Sequence, residues 1–193
     1  FRQAITSVVL PSGLTSVGSH AFYGCEQLTV LDLPENVRSV GEYAFAGCRQ
    51  MQLLDLGSSL ETIGTGAFYS CRAIAALRLP GTLKTIGSEA FYDCTGITTL
   101  TLPSSVTDVG SAAFAYCTGL IRVEILSPLT RLPDWVFFIL VVRALKPLSE
   151  VVSTAKLLEP LGILLAVLYG FQWIFKVVGH PIQWYLFTVI VSV

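Results

Sequence analysis

The chain has 193 residues, 53% hydrophobic and only 13% charged, with twelve Lys and Arg against thirteen Asp and Glu for a formal net charge of −1. A typical soluble domain is about 45–50% apolar and roughly a quarter charged, so about half the usual charge is missing. The even balance excludes the concentrated basic footprint of a nucleic-acid binder, and the wealth of Leu, Val, Ile and Phe excludes intrinsic disorder. Met51 is the only methionine, so Phe1 is not a translated start and a fragment or processed product is expected.

Charge is distributed unevenly. Residues 5–137 hold seven basic and eleven acidic side chains, net −4, whereas residues 138–193 hold four basic and two acidic, net +2. Beyond Pro160 the only charge is Lys176. Two regions with different surroundings are expected.

The first region is a repeat. Cys25, Cys48, Cys71, Cys94 and Cys117 recur every 23 residues. Alanine–phenylalanine pairs keep the same period, as in Ala21-Phe22 and Ala113-Phe114, and so do Gly18, Gly41, Gly64, Gly87 and Gly110. Val17, Val40, Ile63, Ile86 and Val109 precede those glycines. Such self-similarity marks a solenoid. The units are 5–27, 28–50, 51–73, 74–96 and 97–119, with a degenerate sixth over 120–137 in which Pro133 replaces the glycine and Leu140 the cysteine.

Within a unit, Leu100 and Leu102 alternate across Thr101, the period-2 mark of a half-buried strand. Pro103 then ends the strand, having no N–H for a ladder. The glycine column suits either a bend with positive φ or a close backbone approach. Ala-Phe-x-x-Cys is long enough for one helical turn that leads back to the next strand. A lone unit buries too little apolar surface to offset the entropy of ordering 23 residues, so the units must stack.

These columns resemble the BspA-like variety of leucine-rich repeat, with its pattern L-x-x-L-x-L-P, then V-x-x-I-G-x-x-A-F-x-x-C. The resemblance covers residues 5–137 and implies a right-handed solenoid with parallel strands lining one face, followed here by an α-helical, membrane-like tail. It also implies a cell-surface adhesion or recognition protein, and brings no active site with it.

Three arrangements of the cysteines compete. In-register side chains about 4.8 Å apart do not converge as a disulfide requires, and five cysteines leave one over. Zinc sites use ligands two to four residues apart, far closer than here. A column of buried thiols acting as small hydrophobes is therefore expected.

Catalysis lacks its raw materials. His20 stands in a column otherwise held by Tyr43, Gly66, Glu89 and Ala112, which reads as surface; His180, before Pro181, reads as a turn residue. No phosphate loop, nucleophile elbow or carboxylate pair is found, and no metal or cofactor is expected. Asp32 and Asp55 lie one unit apart on a water-facing strand position, where a solvated pair is expected. A non-enzymatic chain follows.

What remains is a surface. One outward ribbon holds Val9, Asp32, Asp55, Arg78, Thr101 and Glu124; its neighbour holds Ser7, Val30, Leu53, Ala76, Thr99 and Arg122. The candidate partner-binding residues are Val30, Asp32, Leu53, Asp55, Arg78, Thr99, Thr101, Arg122 and Glu124, facing a protein or glycan. The alternative is plain solvation of these positions. Tyr23, Tyr69 and Tyr92 form a second exposed column, for which packing against the turn is favoured over binding.

In the tail, residues 148–159 have the spacing of an amphipathic helix. Residues 157–178 are long and apolar enough for a membrane span, with Trp173, Tyr169 and Phe171 as interfacial aromatics. Residues 182–193 begin a further apolar stretch. A buried helical pair capping the array and a non-native tail are the alternatives to a membrane anchor. Arg143, Lys146 and Lys156 place the solenoid on the cytoplasmic side, whereas an adhesin needs the opposite; orientation stays open. A scaffold fragment of a larger protein is the alternative to a recognition module.

Overall fold

The structure, a computed structural model, describes residues 5–129. Nine short strands occur among these residues: β1 (Ser16–Val17), β2 (Val30–Asp32), β3 (Ser39–Val40), β4 (Leu53–Asp55), β5 (Thr62–Ile63), β6 (Thr85–Ile86), β7 (Thr99–Leu102), β8 (Asp108–Val109) and β9 (Arg122–Ile125). Every pairing is parallel and shifted by one repeat: Val17 faces Val40, Val30 faces Leu53, and Leu100 faces Val123. The described residues therefore form a β-solenoid, each unit giving one coil.

Each coil contributes up to two strands. The expected strand positions are occupied by β2, β4, β7 and β9, and β7 shows the alternating exposure that Leu100 and Leu102 imply. The short strands before the glycines form a continuous five-stranded sheet, in the order β1-β3-β5-β6-β8, which the sequence reading did not foresee. Stacking buries the inner columns. Phe45, Phe68, Phe91 and Phe114 are inaccessible or nearly so, as are Leu28, Met51, Ile74 and Ile97 between the coils' other elements.

The Phe rings form a ladder with centroids 5.2–5.4 Å apart and planes within 2–7° of parallel. Face-to-face contact would bring carbons to about 3.5–4.0 Å, so the rings are slipped sideways, the arrangement their quadrupoles prefer.

The expected helical turn is corrected: among the described residues there is no helix. The segment is a chain of tight turns, because the backbone enters the left-handed region every fourth residue. His20, Tyr43, Gly66, Glu89 and Ala112 have φ of 49–58°, and Gly24, Gly47, Ser70, Asp93 and Tyr116 have φ of 55–78°. Left-handed residues interrupt a right-handed helix, so bonds to the fourth preceding carbonyl are not made. Instead the Cys48 N–H donates three residues back to Phe45 (3.2 Å), while the Phe45 N–H donates across to Ala67 of the next coil (2.8 Å).

The glycine column resolves in favour of close approach. None of Gly18, Gly41, Gly64, Gly87 and Gly110 has positive φ; the left-handed residue comes two positions later. A Cβ on Gly87 would stand 2.5 Å from the Thr65 nitrogen and 2.6 Å from the Gly64 carbonyl carbon. Any side chain there pushes adjacent coils apart.

A second departure concerns the coil 74–96. Its segment around Ala76, Leu77 and Arg78 forms no strand, so β2–β4 and β7–β9 are separate two-stranded sheets. Adjacent Ala75 and Ala76 replace the Thr, Val and Leu of other coils, and alanine is a poor strand former.

In the sixth unit, Val123, Ile125 and Leu129 pack against the core as expected. The helix over 148–159, the span over 157–178 and the segment 182–193 all lie outside the described residues. Within the described residues no helix is long and apolar enough to cross a membrane.

Candidate interaction surface

The outward strand positions form a sheet surface whose registry is fixed by the ladder. Val30 pairs with Leu53 and Asp32 with Asp55; Ser7 bridges to Val30. On the other side of the gap, Thr99 pairs with Arg122 and Thr101 with Glu124, whose side chains are 3.5 Å apart in a weak hydrogen bond from Thr101 Oγ1. All of these candidates are exposed, and Leu53, at 65% exposure, is an unusually bare leucine. Arg78 is also exposed, but it sits on the unpaired segment and no ladder fixes it to Asp55 or Thr101. Asp55 is partly committed elsewhere, since its Oδ1 accepts the Gly57 N–H at 2.9 Å.

Ion pairs cross the coils in three places, a loose one between Arg49 and Glu26 at 4.0 Å and two tighter groups on Glu61 and Asp93. Glu61 accepts from Arg38 Nη1 and from Lys84 Nζ, both at 2.7 Å, so three consecutive coils are tied by one carboxylate. These donors, Lys84 first and Arg38 second, hold the Glu61 carboxyl below its ordinary value. Asp93 accepts from Ser70 Oγ (2.9 Å) and from Arg72 Nε and Nη2 (2.8 and 2.6 Å). The signal was present: Arg38, Glu61 and Lys84 alternate in sign at the repeat period.

The cysteine column is buried and its members form no disulfide. Burial pushes Cys71 and Cys94 well above the ordinary thiol value and Cys117 up to about 12. Such thiols stay protonated and unreactive at neutral pH. Among the described residues no group of His, Cys, Asp and Glu is arranged to hold a metal ion.

Of the tyrosine column, Tyr69 and Tyr92 stack at 4.8 Å with planes 4° apart, as packing requires. Burial, followed by the nearby Glu89 carboxylate, raises the Tyr69 phenol above its ordinary value. Tyr23 is different. It is half exposed, and the next position in its column, Ala46, is a buried alanine with no ring to offer.

A parallel β-solenoid with a 23-residue period, a Phe ladder and a column of buried cysteines narrows the choice of family to one. The profile of the BspA type leucine rich repeat region matches residues 1–121 in six copies. The chain belongs to this family. Among solved BspA-type and other leucine-rich repeat structures, it is similar to the leucine rich repeat protein of T. pallidum. The identity is 32% over 61% of this chain and 68% of that one, with a TM-score of 0.57. A leucine-rich repeat protein of Bacteroides ovatus is also 32% identical, over 64% of this chain and 38% of its own, with a TM-score of 0.56. The pneumococcal vaccine antigen PcpA is 26% identical over 57% of this chain and 27% of its own, with a TM-score of 0.52. This BspA-type chain thus spans well under half of the latter two proteins. No curated protein sequence matches it.

Proposed function

We propose that the chain is a non-catalytic recognition module whose strand face binds a protein partner. The observation that carries it is the pairing of exposed Val30 and Leu53 beside the paired carboxylates of Asp32 and Asp55. An apolar strip next to a charged one, on a backbone held in register, presents a partner with both a buried anchor and an oriented polar rim. Arg78, Arg122 and Glu124 extend the polar part, with Thr99 and Thr101 between them. A surface location fits the family. A similar protein from Faecalibacterium prausnitzii, 25% identical over 64% of this chain and 40% of its own with a TM-score of 0.50, is described as a leucine rich cell surface protein. The apolar residues 157–178 would supply the membrane anchor, on either side of the membrane.

Peptides selected from a random display library on the full chain test the strand face. Leu53→Glu and the double variant Asp55→Ala/Arg78→Ala are expected to fold normally and to lose most of the selected binders. If the selected peptides bind both variants as tightly as the parent, the strand face is not the recognition surface. Carbonate extraction of membranes tests the anchor: the full chain stays with the membrane and a chain ending at Phe137 is released. Extraction of both together removes the anchor from the proposal.

A further inference from the structure

On the turn side of the coils, away from the strand face, a trough of about 490 Å³ opens between His20, Tyr23 and Tyr43 on one wall and Tyr69 on the other. Arg49 and Glu89 reach its rim, and Ala46 and Gly47 line it between them. The trough exists because one ring is missing from the column Tyr23, Ala46, Tyr69, Tyr92. Equivalent atoms of Tyr23 and Tyr69 are therefore two coils apart, roughly 10 Å.

Three further features set this trough apart from an accidental gap. His20 and Tyr43 stack at 5.5 Å although both hold left-handed backbone, with φ of 58° and 49°. The next residue in their column is Gly66, and a Cβ there would overlap the Tyr43 ring. Tyr43 thus occupies space that only a glycine leaves free. Finally, the Glu89 carboxylate and the hydroxyls of Tyr23, Tyr43 and Tyr69 make no hydrogen bond among the described residues, which leaves donors and acceptors uncommitted around the aromatic faces.

We infer that this trough binds a pyranose ring of a neutral polysaccharide. Aromatic faces carry negative potential and attract the C–H groups on one side of a sugar ring. The rim carries Glu89, Arg49 (itself paired with Glu26 at 4.0 Å) and several hydroxyls, which suits the mixed donors and acceptors of sugar hydroxyls and brings no excess positive charge to select an anion. The site is independent of the strand face, and neither requires the other.

Saturation-transfer NMR and calorimetry with chitohexaose, cellohexaose and maltohexaose on the full chain test it. At least one of the three is expected to bind saturably with a dissociation constant below about 1 mM. Ala46→Tyr completes the tyrosine column and fills the trough without removing any group; it is expected to weaken binding at least about tenfold with an unchanged Tm. Tyr43→Gly relieves the left-handed backbone while deleting a wall, so binding falls by a similar factor while Tm holds or rises. Asp55→Ala/Arg78→Ala leaves binding as in the parent, which separates this site from the strand face. Saturable binding by none of the three saccharides overturns the inference, as does parent-like binding by Ala46→Tyr.

Discussion

The Cys71 thiol donates a hydrogen bond to the Phe45 carbonyl, 3.2 Å away, which already accepts the Cys48 N–H at 3.2 Å. The same bond recurs from Cys48 to Phe22, Cys94 to Phe68 and Cys117 to Phe91 at 3.2–3.4 Å. The column thus needs a small side chain that is apolar enough to bury and still has a weak donor directed at the preceding coil. Cysteine meets all three conditions; alanine, valine and serine each fail one.

Replacing Cys71 with alanine removes a buried sulfur and one bond, and is expected to cost about 1–2 kcal/mol in chemical denaturation. Serine restores a donor at the cost of burying a hydroxyl, and is expected to do no better. A Cys71→Ala variant as stable as the parent would show that the column is merely tolerated.

Raised thiol pKa values give a second outcome. A folded pKa above the unfolded one means that the native state keeps its protons when the unfolded chain begins to lose them. The contribution is complete below the unfolded thiol value near 9.0 and declines as pH rises toward about 12, the value for Cys117. Stability should therefore fall over that range. At pH 8, iodoacetamide should label none of the five thiols in the native chain and all five in denaturant, as read by mass spectrometry. Rapid native labelling of Cys71 or Cys94 contradicts their burial.

Glu61 titrates in the opposite sense. Its folded pKa is lowered by Lys84 and Arg38, so its contribution is present above the unfolded value near 4.5 and is lost as pH falls through the lower folded value. Between pH 7 and pH 3 the parent should lose more stability than Glu61→Gln, and the difference should shrink in high salt because Arg38 and Lys84 are largely exposed. Equal acid sensitivity of the two proteins rules out a stabilising ladder.

Glycine substitutions distinguish spacing from flexibility. Gly87→Ala drives a Cβ into the backbone of the preceding coil, so a loss of about 3 kcal/mol or failure to fold is expected. Gly13→Ala meets nothing within 4 Å and should be neutral or slightly stabilising. At Ala112, where φ is 56°, the reverse change to glycine should stabilise by about 0.5–1 kcal/mol. Thermal melts of the three variants give the ranking.

The break in the strand face is also open to repair. Ala75→Thr with Ala76→Val restores the residue types of the neighbouring coils and should join β4 to β7 through a new strand. A gain of about 0.5–1 kcal/mol is expected, with slower amide exchange at Leu54, Leu77 and Leu100. Unchanged exchange would mean that something other than alanine's weak strand preference keeps the sheet open.

The sequence by itself determined the period, the units and the inner columns. An exact repeat makes every coil's environment the same, so a side chain buried once is buried in each: Phe45 predicts Phe68, Phe91 and Phe114. Family membership followed from the same columns. Only the tertiary structure decided how the backbone closes each coil, because the left-handed columns mix Gly24, Gly47 and Gly66 with Tyr43, Glu89 and Ala112, so no residue type marks positive φ consistently along either column. It alone also decided which groups meet across coils, such as Glu61 with both Arg38 and Lys84, and where the tyrosine column opens at Ala46. The reason is physical. Burial depends on a residue's place within its own unit, which a repeat spells out, whereas hydrogen-bond routing and clefts depend on what the neighbouring unit lacks.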